Sequence, residues 1–211
     1  TIIRGSGADL TKYCMIPLPT GVPIVLLAAR LLVDKGIREF VQSAQILRQR
    51  GLSDQDARFV IVGKPDPANP ASLHPDELAQ WSKEAVVELW GHRTDMPVVL
   101  EAAHVTVLPS YYGEGLPKVL IEAAACGRAV VTTDHHGCRD AIEPNKTGLL
   151  VPIKNASALA DAIEYLIKNI NVRKRMGAAG RALAEKEFAI EKIVAEHLKI
   201  YQKLLDKGKT Q

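Results

Sequence analysis

Two carboxylates stand in or beside a stretch that is otherwise almost wholly apolar, GEGLPKVLIEAAACG at residues 113–127. Glu114 precedes the helix that Pro117 is expected to begin, since proline is favoured at the first helical position, and Glu122 lies within that helix. A helix that is apolar nearly all round is expected to be buried, and burying an unpaired carboxylate is costly. Glu122 therefore needs either a cation, in an internal salt bridge, or hydroxyl donors such as those of a vicinal diol.

Arg30 and Lys35 form a second group of residues with possible chemistry, in the segment AARLLVDKG. We expect them to stand between a strand and the N-terminus of a helix that Asp34 is placed to cap. Two cations at such a place suit a diphosphate, because their charges and the helix dipole both favour an anion. For the pair alone, an ordinary solvated arginine and lysine is the alternative.

Short apolar runs alternate with helical patterns along most of the chain. Apolar strands that are each followed by a helix are typical of a parallel sheet covered on both faces. The sequence therefore predicts an α/β fold with a Rossmann-like, doubly wound parallel sheet. The predicted strands are 24–29, 58–63, 86–91, 104–109, 129–134 and 148–152, and the predicted helices lie near 36–50, 75–84, 95–103, 117–126 and 138–143.

The alternation stops at Asn155, which is a good N-cap for the first of three successive amphipathic helices. The first 20 residues contain turn-forming prolines and glycines and predict irregular structure. We therefore expect residues 1–211 to form one domain, with an irregular segment at 1–20 and extra helices at 155–206.

The predicted topology gathers distant residues at one edge of the sheet. Ligands of open parallel sheets bind outside the carboxyl ends of the strands. Arg30 follows the first predicted strand, Gly91 the third, 109–114 the fourth and 134–137 the fifth. We therefore expect one binding site to which all of these segments contribute.

Composition excludes several classes of function. The chain is 47% hydrophobic and 24% charged, which is typical of a globular protein, and 27 basic and 24 acidic residues leave a net charge of only +3. No basic block suggests a nucleic-acid partner. There is neither an apolar run long enough to span a membrane nor a secretion-signal pattern. Three unpatterned cysteines favour reduced thiols, and hence a cytoplasmic location.

Two patterns could suggest a metal ion. Asp54 and Asp56 form an Asp-x-Asp pair, but they precede a strand and so fall on the edge opposite the expected site. The run DHHGC at 134–138 matches no zinc spacing. We therefore expect no metal site.

The stretch GEGLPKVLIEAAACGRAVVTTDHHGCRDAI resembles the signature of retaining glycosyltransferases of family 4, whose donor-binding domain carries two glutamates separated by seven residues. Further segments resemble the family in the same order. The resemblance covers about residues 5–205 and implies one half of the two-domain GT-B fold. The further segments are AARLLVDKG, ELWGHRTDM, NKTGLLVPIKNASALADAI and RMGAAGRALAEKEF.

The resemblance also implies residue roles. Glu114 would contact hydroxyls of the donor sugar, and Glu122 would hold a ribose. Arg30 and Lys35 would neutralise the diphosphate and stabilise it as the leaving group, which makes them catalytic residues together with Glu114. The other donor-binding residues would be Gly115, Leu116 and Pro117 at the sugar, the amides near Val119 and Leu120 at the β-phosphate, and Gly91, His92 and Arg93 at the nucleobase.

The function that the resemblance implies is the donor-binding half of a retaining glycosyltransferase. Such an enzyme would move a hexose or N-acetylhexosamine from a nucleoside-diphosphate sugar, with UDP favoured, to a glycan or lipid-linked acceptor, without a metal or cofactor. The acceptor would bind to a missing N-terminal domain, so we expect little turnover from residues 1–211 alone. The full-length protein would be cytoplasmic, with peripheral association to the inner membrane as an option.

Two alternatives remain open. The chain could be a non-catalytic nucleotide-binding module, or it could belong to a glycogen-synthase-like enzyme that uses ADP-glucose. A screen of UDP, ADP and GDP, each with and without a sugar, separates these interpretations.

Overall fold

The computed structural model describes residues 5–113 and 115–208, with side chains up to residue 206. Its centre is a sheet of six parallel strands in the order β3-β2-β1-β4-β5-β6. This order is that of a Rossmann-like, doubly wound fold, and the prediction from sequence is confirmed. The strands are β1 (Ile24–Ala28), β2 (Arg58–Val62), β3 (Glu88–Leu89), β4 (Val105–Leu108), β5 (Ala129–Thr133) and β6 (Gly148–Val151).

Helices cover both faces of the sheet, and each face has its own apolar cluster. One cluster joins the sheet to α1, α2 and α5, and the other joins it to α3 and α4. The strands are buried on both sides, which explains why they read as nearly continuous apolar runs. The described helices are α1 (Ile37–Gln49), α2 (Pro75–Lys83), α3 (Met96–Ala102), α4 (Lys118–Ala125), α5 (Ala156–Lys168), α6 (Ile170–Leu183) and α7 (Ile190–Gly208).

The C-terminal part is helical, as the sequence predicts. Asn155 caps α5 by accepting a hydrogen bond from the amide of Ala158 at 2.9 Å, and a π-helical segment, Ala184–Phe188, joins α6 to α7. Among the residues that the structure describes, no helix has both the length and the apolar character that crossing a bilayer requires.

The described part of the N-terminal segment, residues 5–20, consists of turns, bends and one bridge to the C-terminal helices. In that bridge the Ala8 amide donates to the Phe188 carbonyl at 2.7 Å, and the Ile190 amide donates to the Ala8 carbonyl at 3.0 Å. The buried guanidinium of Arg128 adds a second attachment, because it donates both to the Ile16 carbonyl and to the end of α3. The segment is therefore fixed against the face of the sheet that carries α4.

Three local predictions were wrong. The helix predicted at 138–143 is only a 3-10 turn, Arg139–Ala141, because Gly137 before it has a φ of +75° and Ile142 after it is extended. The strand predicted at 86–91 shortens to Glu88–Leu89, which has a single neighbour at the edge of the sheet. Gly36, rather than Asp34, takes the N-cap position of α1.

His104 predicts a pH dependence of stability. Its buried ring accepts a hydrogen bond from the Ile24 amide through Nδ1, at 3.0 Å, so Nε2 carries the proton and donates to the Pro19 carbonyl, also at 3.0 Å. Burial lowers the pKa of His104 below its usual 6.5. Below that pH the unfolded chain binds the extra proton more readily, so this stability is complete above about pH 6.5 and is lost as the pH falls toward the lowered pKa.

We therefore expect the free energy of unfolding to fall by about 1 kcal/mol more in the wild type than in His104→Asn between pH 7.5 and pH 5.5. Urea denaturation at the two pH values measures this difference. His136→Asn, at an exposed histidine, is the control and should behave as the wild type does. An equal pH dependence in wild type and His104→Asn would contradict the assignment.

Candidate functional site

A crevice opens where β1 and β4 lie side by side, since the chain leaves these two strands toward opposite faces of the sheet. A cavity of about 290 Å³ lies at their carboxyl ends. We call it the central cavity. Five residues that the sequence assigns to a donor site line it: Arg30, His92, Arg93, Val119 and Glu122. The remaining lining residues are Ala28, Ala29, Val62, Gly63, Lys64 and Met96.

A second cavity, of about 200 Å³, adjoins the central cavity. We call it the adjacent cavity. Arg30 and Val119 line both spaces, and Lys35 and Pro117 line only the adjacent one. The two cavities therefore form one depression that runs from the end of β3 past β1 to the start of α4, and Arg30, Lys35 and Glu122 all line it.

Glu122 is 6% exposed, on α4. Within the described part of the chain its ion-pair partner is the ammonium of the exposed Lys118, at 3.7 Å, which is long for an ion pair. Burial raises the pKa of Glu122 above its usual value, while a hydrogen bond from the Tyr13 hydroxyl and the charge of Lys118 act in the opposite direction. The carboxylate thus lines the cavity, and its contacts with the protein compensate only part of the free-energy cost of burying its charge.

Arg30 and Arg93 differ in how fully their guanidinium groups are engaged. Among the described residues, Arg30 has one ion-pair partner, the Asp66 carboxylate, which lies 3.2 Å from Nη1. Arg93 makes two, with Nε at 2.7 Å and Nη2 at 2.5 Å from the carboxylate of Asp95, and the pKa of Asp95 is lowered to about 2 by these bonds. Asp95 thus holds and neutralises Arg93 at two points, whereas Arg30 meets its carboxylate at one point and keeps more of its N–H donors for a ligand.

Lys35 is held in place by its surroundings. Only 7% of the residue is exposed, and its ammonium lies 5.2 Å from the centre of the Tyr112 ring, a distance at which a cation and an aromatic face attract each other. Gly36 follows with a φ of +74° and turns the chain into α1. The lysine is thus directed along the wall of the adjacent cavity.

The N-terminus of α4 also faces the depression. Pro117, predicted to be the first helical residue, is instead the N-cap, and the helix begins one residue later, at Lys118. The first amides of a helix have no acceptor within it and favour anions. The side chain of Leu120 is buried in the core and its amide donates to the Pro117 carbonyl at 3.1 Å, so Val119 is the better placed of the two residues predicted at the β-phosphate.

Other predicted residues do not line the two cavities or cannot be placed. Glu114 lies outside the described residues. Gly91, Gly115 and Leu116 line neither cavity, although the Gly91 carbonyl accepts a hydrogen bond from the Gly63 amide at 2.8 Å beside the central cavity. The roles assigned to these four residues stay predictions.

Sequence reasoning missed four residues at the site. Lys64 and Met96 line the central cavity, Asp66 contacts Arg30, and Tyr13 contacts Glu122. Lys64 follows β2 closely, so the rule that ligands bind at carboxyl ends could have found it. The contacts of Asp66 and Tyr13 join residues far apart in the chain and had no signal in the sequence.

The structure also describes the two patterns that could suggest a metal ion. Asp54 pairs with Arg48 at 2.5 Å, and Asp134 pairs with Arg139. Within residues 5–113 and 115–208, no group of three or more His, Cys, Asp or Glu side chains is arranged to hold a metal ion.

The fold and the depression define a Rossmann-like α/β protein with a cationic site at the topological switch point. The sequence model of the family described as "Glycosyl transferases group 1" matches residues 16–183. The chain belongs to this family, as the resemblance predicted.

Individual relatives agree with the family assignment. The chain is 35% identical over 184 residues to N,N'-diacetylbacillosaminyl-diphospho-undecaprenol alpha-1,3-N-acetylgalactosaminyltransferase of Campylobacter jejuni, covering 87% of this chain and 45% of the relative. Sucrose-phosphate synthase from Thermosynechococcus elongatus superposes with a TM-score of 0.83 at 29% identity, covering 97% and 52% of the two chains. A mutant of S. aureus TarM in complex with fondaparinux, alpha-GlcNAc-glycerol and UDP superposes with a TM-score of 0.74 at 25% identity, covering 89% and 37%. The chain spans about half the length of the curated relatives that it matches.

Proposed function

We propose that this chain is the donor-binding half of a retaining, metal-independent glycosyltransferase that takes a hexose or N-acetylhexosamine from a UDP-sugar. One observation carries the proposal. Arg30 and Glu122, which are far apart in the sequence, line one cavity at the switch point of the sheet, and Lys35 and the start of α4 adjoin it. A nucleoside-diphosphate sugar needs these groups: cations for the diphosphate and a carboxylate for a diol.

Each part of the donor has a counterpart in the depression. The diphosphate would lie between Arg30, Lys35 and the N-terminus of α4, where fixed positive charge stabilises it as it leaves the sugar. Glu122 would accept hydrogen bonds from the ribose hydroxyls. The nucleobase would pack near His92 and Met96 at the far end of the central cavity.

The relatives support the choice of donor and acceptor. The C. jejuni relative is named for transfer of N-acetylgalactosamine to a diphospho-undecaprenol carrier, and TarM was solved with UDP. We extend these properties to the whole protein, with the acceptor, a glycan or a lipid-linked sugar, bound to a further domain. In that arrangement the acceptor attacks the anomeric carbon on the face from which the diphosphate departs, and peripheral association with a membrane would bring a lipid-linked acceptor within reach.

A thermal-shift panel tests the proposed donor. We expect UDP, and UDP-N-acetylhexosamines or UDP-hexoses, to raise the midpoint of unfolding by roughly 3–6 °C at about tenfold excess over Kd, since binding to the native state stabilises it by about 1.4 kcal/mol at that excess. ADP and GDP should give smaller shifts. The shift should be the same in EDTA and in Mg²⁺, because the charges of Arg30 and Lys35 replace a metal ion.

Three results would overturn parts of the proposal. A larger shift with ADP than with UDP would show that the base of the donor is adenine and not uracil. A shift that needs Mg²⁺ would refute metal independence. If no nucleotide stabilises the chain, the donor-binding function itself fails.

A further inference from the structure

The segments that follow β1 and β2 approach each other more closely than most residues allow. Gly63 has a φ of +150°, and a Cβ atom at this position would lie 1.9 Å from the Ala29 carbonyl oxygen. Only glycine permits this approach. The next residue is fixed in turn, because the Leu31 amide donates to the Lys64 carbonyl at 3.1 Å. The backbone of Lys64 is therefore held directly beside that of Arg30.

Lys64 also lies between two parts of the site. β2 separates β1 from β3 in the sheet, and the Gly63 amide donates to the Gly91 carbonyl at 2.8 Å. Lys64, at the end of β2, thus stands between Arg30, at the end of β1, and His92, at the end of β3, and all three line the central cavity.

The charges around the central cavity are unequally paired. Arg30 contacts Asp66, Arg93 forms a two-point ion pair with Asp95, and Glu122 has Lys118 at 3.7 Å. Within the part of the chain that the structure describes, Lys64 is the one permanently charged residue of the cavity lining whose ammonium has neither an ion pair nor a hydrogen bond. Its charge is available for an anionic ligand.

A larger cavity, of about 490 Å³, lies beside the edge strand β3 and offers no comparable charge. Both of its arginines are paired with carboxylates, Arg48 with Asp54 at 2.5 Å and Arg58 with Glu88 at 2.7 Å. Of these two cavities, the central cavity is therefore the one whose lining offers an unpaired positive charge, that of Lys64, among the described residues.

We propose that Lys64 binds the α-phosphate of the donor nucleotide, while Arg30 and Lys35 meet the β-phosphate. The inference rests on the proposed function and assigns a phosphate contact within it. A nucleotide laid along the depression has its base near His92 and its β-phosphate near the start of α4, so its α-phosphate passes between them, where Lys64 stands. This division gives each phosphate its own cation.

Lys64→Met tests the assignment, because methionine keeps much of the aliphatic stem and removes the charge. Binding of uridine, UMP and UDP is measured by calorimetry. Since Lys64 is exposed, we expect the affinity for UMP and for UDP to fall about three- to fivefold, as for an exposed charged contact with phosphate, and the affinity for uridine to stay unchanged. The loss should shrink at high salt, since screening already weakens such a contact in the wild type.

Lys83→Met is the matched control. Lys83 is an exposed lysine at the C-terminal end of α2 that lines neither cavity of the site, and its removal changes the net charge equally. This variant should bind all three ligands as the wild type does. Arg30→Met should instead weaken UDP more than UMP, because its partner is the second phosphate.

Each other outcome overturns the assignment. If Lys64→Met binds UDP as the wild type does, Lys64 does not contact the nucleotide. If the affinity for uridine falls equally, Lys64 contacts the nucleoside. If the affinity for UDP falls and that for UMP does not, Lys64 contacts the β-phosphate. If the wild type binds UDP and Glu122→Gln weakens it while Lys64→Met does not, the proposed function stands and only this inference fails. If the wild type binds no UDP, both fail. Should the nucleotide panel favour another base, the nucleoside, monophosphate and diphosphate of that base are used.

Discussion

Gly36→Ala is expected to lower the free energy of unfolding by about 3 kcal/mol, and the thermal midpoint by roughly 6–12 °C for a chain of this size. Gly36 has a φ of +74°, and a Cβ atom there would lie 2.2 Å from the Pro109 carbonyl oxygen. Both the left-handed conformation and the collision with backbone oppose the substitution. Because the neighbour is backbone, it cannot give way as the tip of a side chain could.

Gly51→Ala separates these two causes. Gly51 also has a positive φ, +93°, but a Cβ atom at this position would meet nothing within 4 Å. We expect it to cost only about 1 kcal/mol, the strain of the backbone conformation. Chemical denaturation of both variants measures the difference, and equal losses would mean that the segment after β4 does not press on Gly36 in solution.

Glu122→Gln is expected to weaken UDP binding about 30-fold, the equivalent of about 2 kcal/mol, because hydrogen bonds to a charged acceptor are among the strongest in proteins. The variant keeps the shape of the side chain and the fold. Glu101→Gln is the matched control, because Glu101 lines neither cavity. This variant should bind as the wild type does. Calorimetric titration of the three proteins gives the comparison.

The same variant should not lose stability at neutral pH. Burial raises the pKa of Glu122, so its carboxyl group favours the folded state at low pH, and this contribution is lost as the pH rises through the raised value. The free energy of unfolding of Glu122→Gln relative to wild type should therefore increase from pH 5 to pH 7.5. A relative decrease would show that the carboxylate is a structural partner of Lys118, the salt-bridge alternative that the sequence left open.

Much of the fold could be predicted because its signals are local. The apolar run at β2 and the good N-cap Asn155 are properties of short segments, and β2 and α5 lie within a few residues of their predicted bounds. Predictions failed where neighbouring elements or residues determine the extent of a strand or helix. β3 keeps only two residues because it lies at the edge of the sheet, and the segment after Gly137 cannot build a full helix between a residue with positive φ and an extended one.

The candidate site was predictable to the extent that topology follows from such segments. Parallel strands place their carboxyl ends together, so Arg30 could be expected near the turn that contains His92, and both line the central cavity. The rule gives the edge but no distances. It could not tell that Asp95 holds Arg93 at two points while Asp66 meets Arg30 at one.

The sequence by itself determined the family, the order of strands and helices, and the edge of the sheet where charged residues collect, because each depends on short patterns and on connection rules. Only the tertiary structure decided that Tyr13 reaches Glu122, that Asp66 meets Arg30, and that Lys64 lines the same cavity with no ion-pair partner among the described residues. These contacts join residues dozens of positions apart. Their distances are set by how two layers of helices pack on a twisted sheet, which no single segment encodes.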